Sequence, residues 1–514
     1  MTELRLAELM GAMSIATDIG LGAPLEAGLS VCLLSMRLGE AMGLPDQELG
    51  RAYILALLRH IGCTADSDQM AAMGGDEFAM NMAIAPLDHV DPRQVMPRML
   101  RHLAAEFPGA RFPPAVLRLL AMAPKMRTHD LARCEVAEML ADRMGFDRQV
   151  QQDVRLFNER WDGKGPARLG GEAIPLPVRA VQVAEGVMVL RHAGGASGVP
   201  EVVRRRSRTM YAPDAAEAFL RDPDAILSAT DVPSVWDAVM SAEPEPRVDL
   251  GAERLDAALR AMAEFADLKS SFLVGHSTGV GDLAGAAAER AGLPPADVEE
   301  VHRAALVHDV GRVGVSATIW NRKGTLSFDQ WEKVRMHPYY TDRVLDRPEA
   351  LRRLAGVASM HHERMDASGY FRRVPGAQQP PGARLLAAAD AFHAMLEPRP
   401  HREALTRERA AEELRGEVRA GRLDADAVEA VLAAAGQPVR RRREHVASLT
   451  AREVEVLRLV ARGLSIREIG RTLTIAPKTA DAHIQHIYTK VGVSTRAAAT
   501  LFAMEHDLVG PFAG

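Results

Sequence analysis

The strongest constraint on the fold is an internal repeat, in which the first half of the chain resembles the second. Residues 44–45 (Leu-Pro) align with residues 293–294 without gaps, and with gaps residues 158–169 (NERWDGKGPARL) resemble residues 362–373 (HERMDASGYFRR). A repeated pattern of this length indicates that one structural unit occurs twice. We therefore expect two related domains, one in each half of the chain.

Apolar residues recur at helical spacing in both halves. They do so in residues 29–42, which end at Gly43, and in residues 131–144, which end at Gly145. Aromatic residues make up only 4% of the chain, whereas the helix formers alanine, leucine, arginine and glutamate are plentiful. The sequence therefore predicts an all-α fold. Further helices are predicted over residues 51–61, 255–273, 276–290 and 298–310.

Two polar segments mark domain boundaries. Residues 242–247 are acidic and proline-rich, and residues 437–444 (QPVRRRRE) are strongly basic. The arginines at 440–443 are either a solvated spacer or a non-specific contact to phosphates. The expected parts are a first helical domain (1–241), a linker (242–254), a second helical domain (255–436), a basic linker (437–446) and a C-terminal domain (447–514).

Histidines and carboxylates recur in short apolar or turn-bounded segments of the second half. A lone histidine says little, but imidazole nitrogens with carboxylate oxygens are a ligand set that suits iron, manganese, zinc or nickel. Two such ions about 3.5–4 Å apart can clamp a phosphoryl displacement. The candidate metal ligands are His276, His308, Asp309, His337, His361, His362 and Asp390.

In their order and flanks these residues resemble the HD-GYP branch of the HD metal-dependent phosphohydrolases, over about residues 267–432. The resemblance implies that Asp309 bridges two divalent ions, iron, manganese or another transition metal. One ion would be completed by His276, His308 and Asp390, and the other by His337, His361 and His362. It further implies that Asp309 and Arg312 are catalytic, and that the substrate is a cyclic dinucleotide. Substrate-binding residues would be Arg312, Arg364, Gly369 and Tyr370.

The sequence departs from the HD-GYP pattern at four positions. Arg312 replaces the family's lysine and would hold a phosphate as a planar fork instead of a point charge. Phe371 replaces the proline of the GYP motif, and His393 replaces a second aspartate. Phe272 stands where members with three metals carry glutamate, which favours two ions. These changes bear on the substrate more than on the metal site.

The first copy has lost most of the ligands. The positions of His276, the His-Asp pair, the His-His pair and the last aspartate are taken by Ala27, residues 59–60 (Arg-His), residues 157–158 (Phe-Asn) and Glu185. Alanine and phenylalanine cannot bind a metal, so we expect a degenerate, metal-free copy. The alternative is a reduced site made of His60, Glu159, Asp162 and Glu185.

Helix signals follow in quick succession after the basic linker. Thr450 with Glu453 and Ser465 with Glu468 are two capping boxes. Residues 477–490 begin with a proline, which suits the first turn of a helix, and Ser494 can cap a fourth helix. This order of helices predicts a four-helix domain with a helix-turn-helix.

The same segment resembles the LuxR-type DNA-binding domain over nearly all its length. The matching residues are Leu449, Thr450, Glu453, Val456, Leu457, Gly463, Glu468, Ile469, Leu473, Thr479, His483, Ile487, Lys490, Gly492, Val493 and Arg496. The resemblance implies that the helix beginning near Pro477 enters the major groove of double-stranded DNA. Base edges would meet Asp481, Ala482 and Gln485. Phosphates would lie near Lys478, Thr479, His483 and Lys490.

Net charge and cysteine content indicate the cellular compartment and the kind of binding partner. The net charge of −5 gives no nucleic-acid signal for the whole chain, so any basic surface is local. The three cysteines show no CxxC spacing, which favours a reducing compartment. Neither a signal peptide nor an apolar run of membrane-spanning length is apparent. We expect a cytoplasmic protein without membrane contact that binds DNA as a homodimer.

Two functions remain open from the sequence. The first is a DNA-binding transcriptional regulator whose HD-GYP-like domain hydrolyses a cyclic dinucleotide, such as cyclic di-GMP, or a related phosphoester. The second is a non-catalytic LuxR-type transcription factor that uses the same pocket to sense a nucleotide. The full ligand set favours the enzyme, while Arg312, Phe371 and His393 favour the sensor.

Overall fold

The computed structural model of the chain describes residues 4–122, 126–195, 198–438 and 449–505. Within these ranges the chain forms helices and no strand, only isolated bridges. The predicted all-α class is confirmed. Two compact units are present, Met1–Pro438 and Val439–Gly514. The arginines predicted as a basic linker, at 440–443, lie outside the described residues.

The larger unit holds both predicted halves. The first half contains α1 (Leu6–Leu21), α2 (Ala27–Met42), α3 (Asp46–Leu58), α4 (Ser67–Gly74), α5 (Glu77–Ile84), α6 (Pro92–Glu106), α7 (Phe112–Met122), α8 (Met126–Arg143), α9 (Arg148–Val154), α10 (Leu176–Gly194), α11 (Val199–Arg206), α12 (Pro213–Arg221), α13 (Pro223–Leu227) and α14 (Val235–Ser241). The second half contains α15 (Ala252–Asp267), α16 (His276–Arg290), α17 (Pro295–Val307), α18 (Ala317–Trp320), α19 (Phe328–Arg335), α20 (His337–Leu345), α21 (Arg352–Ala358), α22 (Pro381–Met395), α23 (Arg407–Arg419) and α24 (Ala425–Ala434).

The repeat is visible in how the helices pack. In the first half α2 packs on α3, α10 packs on both, and α12 packs on α2. In the second half α16 packs on α17, α22 packs on both, and α24 packs on α16. Buried apolar residues from both halves join in one hydrophobic core. The two copies therefore share an arrangement of helices but form one compact unit.

Several predicted helices end earlier than expected. The helix predicted over residues 255–273 ends at Asp267, and the helix predicted over residues 298–310 ends at Val307. After Val307 the chain tightens into a 3₁₀ helix at Val310–Gly314. His308 and Asp309 thus lie in the short segment between α17 and this 3₁₀ helix.

A helical insertion in the first half was not predicted. Helices α4 to α7 surround a small core of their own, which is rich in methionine. Its buried residues are Met70, Met73, Met80, Met99, Leu103, Ala115 and Leu119. The insertion reaches the second half, because α4 packs against α18.

The smaller unit contains α25 (Ala451–Ala461), α26 (Ile466–Leu473), α27 (Pro477–Val491) and α28 (Arg496–Glu505). Both predicted capping boxes are present, at Thr450 and at Ser465. The cap of the fourth helix was predicted at the wrong residue. Thr495, not Ser494, accepts a hydrogen bond from the Ala498 N–H at 3.2 Å.

Every helix in the described ranges is too short or too polar to cross a membrane.

Candidate metal centre

The structure brings all seven predicted metal ligands together. They come from five places in the second half: the start of α16, the end of α17, the start of α20, the turn after α21, and α22. All seven are buried except His362, which is half-buried. They are His276, His308, Asp309, His337, His361, His362 and Asp390.

Asp309 lies at the centre of the group, with its two oxygens facing different histidines. Oδ2 is 2.9 Å from the Nε2 of His308 and 3.4 Å from that of His276. Oδ1 is 3.3 Å from the Nε2 of His361 and 3.5 Å from that of His337. This is the geometry of a carboxylate that bridges two clusters of ligands.

Three of the histidines are oriented by the backbone. His308, His337 and His361 each place Nδ1 2.6 to 2.7 Å from the carbonyl oxygen three residues earlier. A carbonyl can only accept, so each Nδ1 donates its hydrogen. The lone pair of each neutral ring is then on Nε2, which points to Asp309 and is free to bind a metal.

Asp390 and His362 complete the two clusters. Asp390 Oδ1 lies 3.2 Å from His276 Nε2 and 3.8 Å from His308 Nε2. His362 groups with His337 and His361. Several of these buried atoms lack a hydrogen-bond partner among the described residues, which is costly unless a cation binds them. They are both oxygens of Asp309, Asp390 Oδ1 and the Nε2 atoms of His276 and His308. The residues present therefore fit metal cations.

The electrostatics keep the central carboxylates ionised. Burial opposes the charge of Asp309, but the Arg312 guanidinium, 2.8 Å from Oδ2, outweighs burial and holds the pKa of Asp309 well below its usual range. Burial also opposes the charge of Asp390, but the neighbouring imidazoles of His276 and His308 hold its pKa well below the usual range. Anionic oxygens are the form that binds metal.

The predicted substrate residues border this cluster in different ways. The Tyr370 ring lies 4.8 Å from the His362 ring. A Cβ at Gly369 would lie 2.4 Å from the carbonyl oxygen of His362, so only glycine fits in this turn. Arg364 donates to the carbonyl oxygens of His361 and Glu363, at 3.3 and 2.8 Å. Tyr370 thus lies beside the candidate ligands, while Arg364 supports the turn that carries them.

Sequence reasoning missed Glu397. Its Oε2 lies 2.9 Å from His276 Nδ1, and its Oε1 lies 3.2 Å from His393 Nδ1. Arg399 donates to the same carboxylate at 2.6 Å. His393, which stands where the HD-GYP pattern has an aspartate, pairs with Glu397 one helical turn later. The sequence signal that could have identified Glu397 is its place four residues after His393, where the chain departs from the HD-GYP pattern.

We expect Glu397→Gln to weaken metal binding about 10- to 100-fold, the usual effect of removing the carboxylate partner of a metal-binding histidine. The glutamine amide retains the size of Glu397 but not the charge that favours Nδ1–H and a basic Nε2 on His276. Titration of the metal-free chain with Mn²⁺ measures the change. Glu403→Gln, at an exposed glutamate nearby, is the control, and equal affinity in the two variants would contradict the assignment.

A second missed residue, Glu363, holds the turn beside the candidate ligands. Its buried carboxylate accepts from the N–H groups of residues 372, 373 and 374 at 2.8 to 3.0 Å. Its counterpart Glu159 does the same in the first copy, accepting from the N–H groups of residues 167 and 169. Glu159 is therefore engaged in holding a loop.

The other members of the proposed reduced site are also engaged. His60 lies 3.0 Å from Glu185, and Arg59 pairs with the same carboxylate. Asp162 binds Arg160 at 3.0 Å. In the described ranges, all groups of three or more potential ligands lie in the second half. This arrangement favours the metal-free interpretation of the first copy.

In the smaller unit, α27 presents most of the residues predicted to meet DNA. Lys478, Thr479, Ala482 and Gln485 are exposed, while Asp481 and His483 are half-buried. Buried on the opposite face are Ala480, Ile484 and Ile487. Lys490 is placed differently, because its Nζ donates to Glu453 at 2.7 Å within the first capping box. The positive charge of Lys490 is therefore already paired with Glu453, and a contact with a DNA phosphate would have to share it.

Two families match the chain. The HD domain family matches residues 260–427, and the luxR family of bacterial regulatory proteins matches residues 447–503. The first match spans the whole candidate metal centre. The second spans the four helices of the smaller unit.

Curated relatives extend the comparison to most of the chain. A 3'3'-cGAMP-specific phosphodiesterase 3 of Vibrio cholerae is 27% identical over 420 residues, which cover 79% of this chain and 89% of that protein. A cyclic di-GMP phosphodiesterase of Thermotoga maritima is 33% identical over 158 residues, covering 30% of this chain and 42% of that protein.

A solved structure shares the fold. The crystal structure of a cyclic GMP-AMP-specific phosphodiesterase from Vibrio cholerae superposes with a TM-score of 0.57 at 23% identity, covering 84% of this chain and 98% of that one. Its coverage includes most of the larger unit. The chain is thus a helical protein that carries an HD domain of the metal-dependent phosphohydrolase type, followed by a domain of the luxR family of bacterial regulatory proteins.

Proposed function

We propose that the second half of the larger unit binds two divalent transition-metal ions, iron or manganese, and hydrolyses a phosphodiester bond of a cyclic dinucleotide. The observation that carries this proposal is Asp309, whose two buried oxygens face two separate groups of imidazoles. When bound, such a pair of ions supplies a water of lowered pKa and positive charge for the scissile phosphate.

The chain's own residues would then bind and orient the substrate. Arg312 lies at the centre with Asp309, and its planar guanidinium can hold two phosphate oxygens at once. Two of its nitrogens are buried and have no hydrogen-bond partner among the described residues, which is costly unless a ligand such as a phosphate accepts from them. Tyr370 lies beside His362 and His337 and offers a face on which a nucleobase can stack.

The class of substrate is supported by the relatives. Those named above act, by their names, on 3'3'-cGAMP and on cyclic di-GMP. Both molecules are cyclic dinucleotides with two phosphodiester bonds. The full set of seven candidate ligands favours hydrolysis over mere sensing, because a sensor need not retain every ligand.

We expect the full-length chain, loaded with Mn²⁺ or Fe²⁺, to convert 3'3'-cGAMP or cyclic di-GMP into a linear dinucleotide or mononucleotides. Because the nucleophile would come from the metals, stripping with a chelator should abolish turnover and returning the metal should restore it. Chromatography of the products makes the measurement. Turnover that is unchanged in excess chelator, or no turnover of either substrate by the loaded chain, would contradict the proposal.

The smaller unit would bind double-stranded DNA, which makes the chain a transcriptional regulator. Exposed Lys478, Thr479 and Gln485 on α27 supply a cation and hydrogen-bonding groups to the major groove. Ala476, at the cap of α27, offers no side-chain hydrogen bond, and Asp481 would repel phosphates. Modest affinity of one copy follows, so the proposed binding form is a homodimer in the cytoplasm.

The second candidate function is a regulator that senses a nucleotide without hydrolysing it. It is favoured by the contact between Arg312 and Asp309, which uses one nitrogen of the guanidinium, and by the changes at Phe371 and His393. A sensor would bind a cyclic dinucleotide and return it unchanged. The product analysis described for the enzyme separates the two functions.

A further inference from the structure

The insertion in the first half makes a buried contact with the second half. Glu77, the first residue of α5, is only 2% exposed. Its Oε2 accepts from the hydroxyl of Ser316 at 2.6 Å, and its Oε1 accepts from the Ala317 N–H at 2.8 Å. Lys269 is also fully buried and places Nζ 2.8 Å from Oε1. One carboxylate of the first copy thus accepts two hydrogen bonds from the second and forms an ion pair with a buried lysine there.

Neighbouring contacts hold the same segment. The Thr318 hydroxyl donates to the carbonyl oxygen of Gly75 at 2.7 Å. The Asn321 amide donates to Asp68 at 2.7 Å. Both ends of α18 are therefore fastened to the insertion, by Glu77 and Gly75 at its start and by Asp68 at its end.

Helix α18 in turn contacts the candidate metal centre through Trp320. The indole N–H of Trp320 donates to the carbonyl oxygen of Arg312 at 3.2 Å. The Arg312 guanidinium lies 5.4 Å from the centre of the indole, within the range of a cation–π contact. The same ring lies 5.8 Å from the ring of His337. Trp320 is thus packed against both the candidate phosphate-binding cation and a candidate metal ligand.

We propose that the degenerate first copy serves the second as a positioning element, with Glu77 as the positioning residue. By fixing the start of α18, Glu77 holds Trp320 against Arg312 and so sets the direction of the guanidinium beside Asp309. This inference rests on the proposed hydrolysis, in which Arg312 holds the phosphate. It gives the metal-free copy a role that needs no metal and no ligand.

The test must separate positioning from the stability of a buried ion pair, since a lone Lys269 charge would destabilise the fold. Two double variants remove both charges. E77Q/K269M keeps an oxygen that can accept from the Ala317 N–H, whereas E77A/K269M has none. Glu26→Gln is the matched control, because Glu26 is a first-half glutamate that pairs with Arg347 of the second half.

We expect E77A/K269M to retain its metal but to lower kcat about 10- to 100-fold, as removal of a supporting contact usually does. E77Q/K269M and E26Q should retain the kcat of the parent chain, because the first keeps an acceptor for the Ala317 N–H and Glu26 lies outside this contact. Parent-like kcat in E77A/K269M would overturn the proposal. So would an equal loss in both double variants, which would assign the effect to the ion pair alone.

A second measurement does not depend on turnover. In the metal-free chain, amide hydrogen exchange should speed up in E77A/K269M both at residues 316–321 and at residues 310–314, which carry Arg312. Faster exchange confined to residues 316–318 would contradict coupling to Arg312. If the parent chain hydrolyses no cyclic dinucleotide, the proposed function fails, while the exchange pattern still decides whether Glu77 positions Arg312.

Discussion

Replacing Asp309 by asparagine is expected to lower hydrolysis by more than about 1000-fold, because loss of an outer-sphere partner alone costs about 10- to 100-fold. An amide has one oxygen and one NH₂ group. Since the oxygens of Asp309 face His308 and His276 on one side and His361 and His337 on the other, either orientation of the amide leaves one cluster without its ligand. Steady-state hydrolysis of a cyclic dinucleotide measures the loss.

The control for this substitution is Asp346→Asn in the same half. The Asp346 side chain is 56% exposed and pairs only at the surface, with Arg352. Such a pair contributes about 0–1 kcal/mol to stability, so the change should leave hydrolysis unaltered. An Asp309→Asn chain that hydrolyses its substrate within tenfold of the parent rate would rule out a bridging role for Asp309.

Replacing Ile469 by aspartate is expected to abolish DNA binding while leaving hydrolysis intact. Ile469 is fully buried in the core of the smaller unit, which has few other buried residues. Burying a carboxylate there costs roughly 4 kcal/mol or more, a large part of the stability of so small a domain. The larger unit has a separate core and should fold without it.

Ile466→Asp is the matched control, because Ile466 lies one helical turn earlier on α26 and is 37% exposed. Band-shift titration against genomic DNA fragments and hydrolysis assays on both variants make the comparison. Full DNA affinity in Ile469→Asp would contradict the assignment of DNA binding to the smaller unit. Lost hydrolysis in the same variant would contradict the independence of the two folds.

The residues that gather at the candidate metal centre could be predicted from sequence because several lie in short segments with a characteristic neighbour. His308 precedes Asp309, and His361 precedes His362. Their positions along the chain also matched a known order of ligands. What spacing could not provide was the direction of each ring, which depends on carbonyl oxygens three residues earlier and on Glu397.

The contacts between the first half and α18 could not be predicted from sequence, for a different reason. Glu77 meets Ser316 across 239 positions of the chain, and neither residue lies in a motif. Helices α4 and α5 are short and their core is formed largely by methionine, a flexible residue that leaves a weak periodic signal. Local pattern therefore indicated which residues gather at the candidate centre but not the segments that hold them.

In the degenerate first copy, the sequence alignment predicted the position of Glu185 but not its partner. Alignment placed Glu185 at the position of Asp390, and the structure places both on equivalent helices, α10 and α22. A reduced metal site would need the Glu185 carboxylate as a ligand, and the alignment did not show that Arg59 pairs with it. The partners of that carboxylate are the Arg59 guanidinium and the His60 ring.

The central claim is that the second half holds two metal ions on a shared aspartate. Elemental analysis of the anaerobically purified full-length chain, beside Asp309→Asn prepared in the same way, tests it most directly. The account predicts about two transition-metal ions per parent chain and a clear loss in the variant. A parent chain without bound metal, or a variant that retains the full complement, would contradict it.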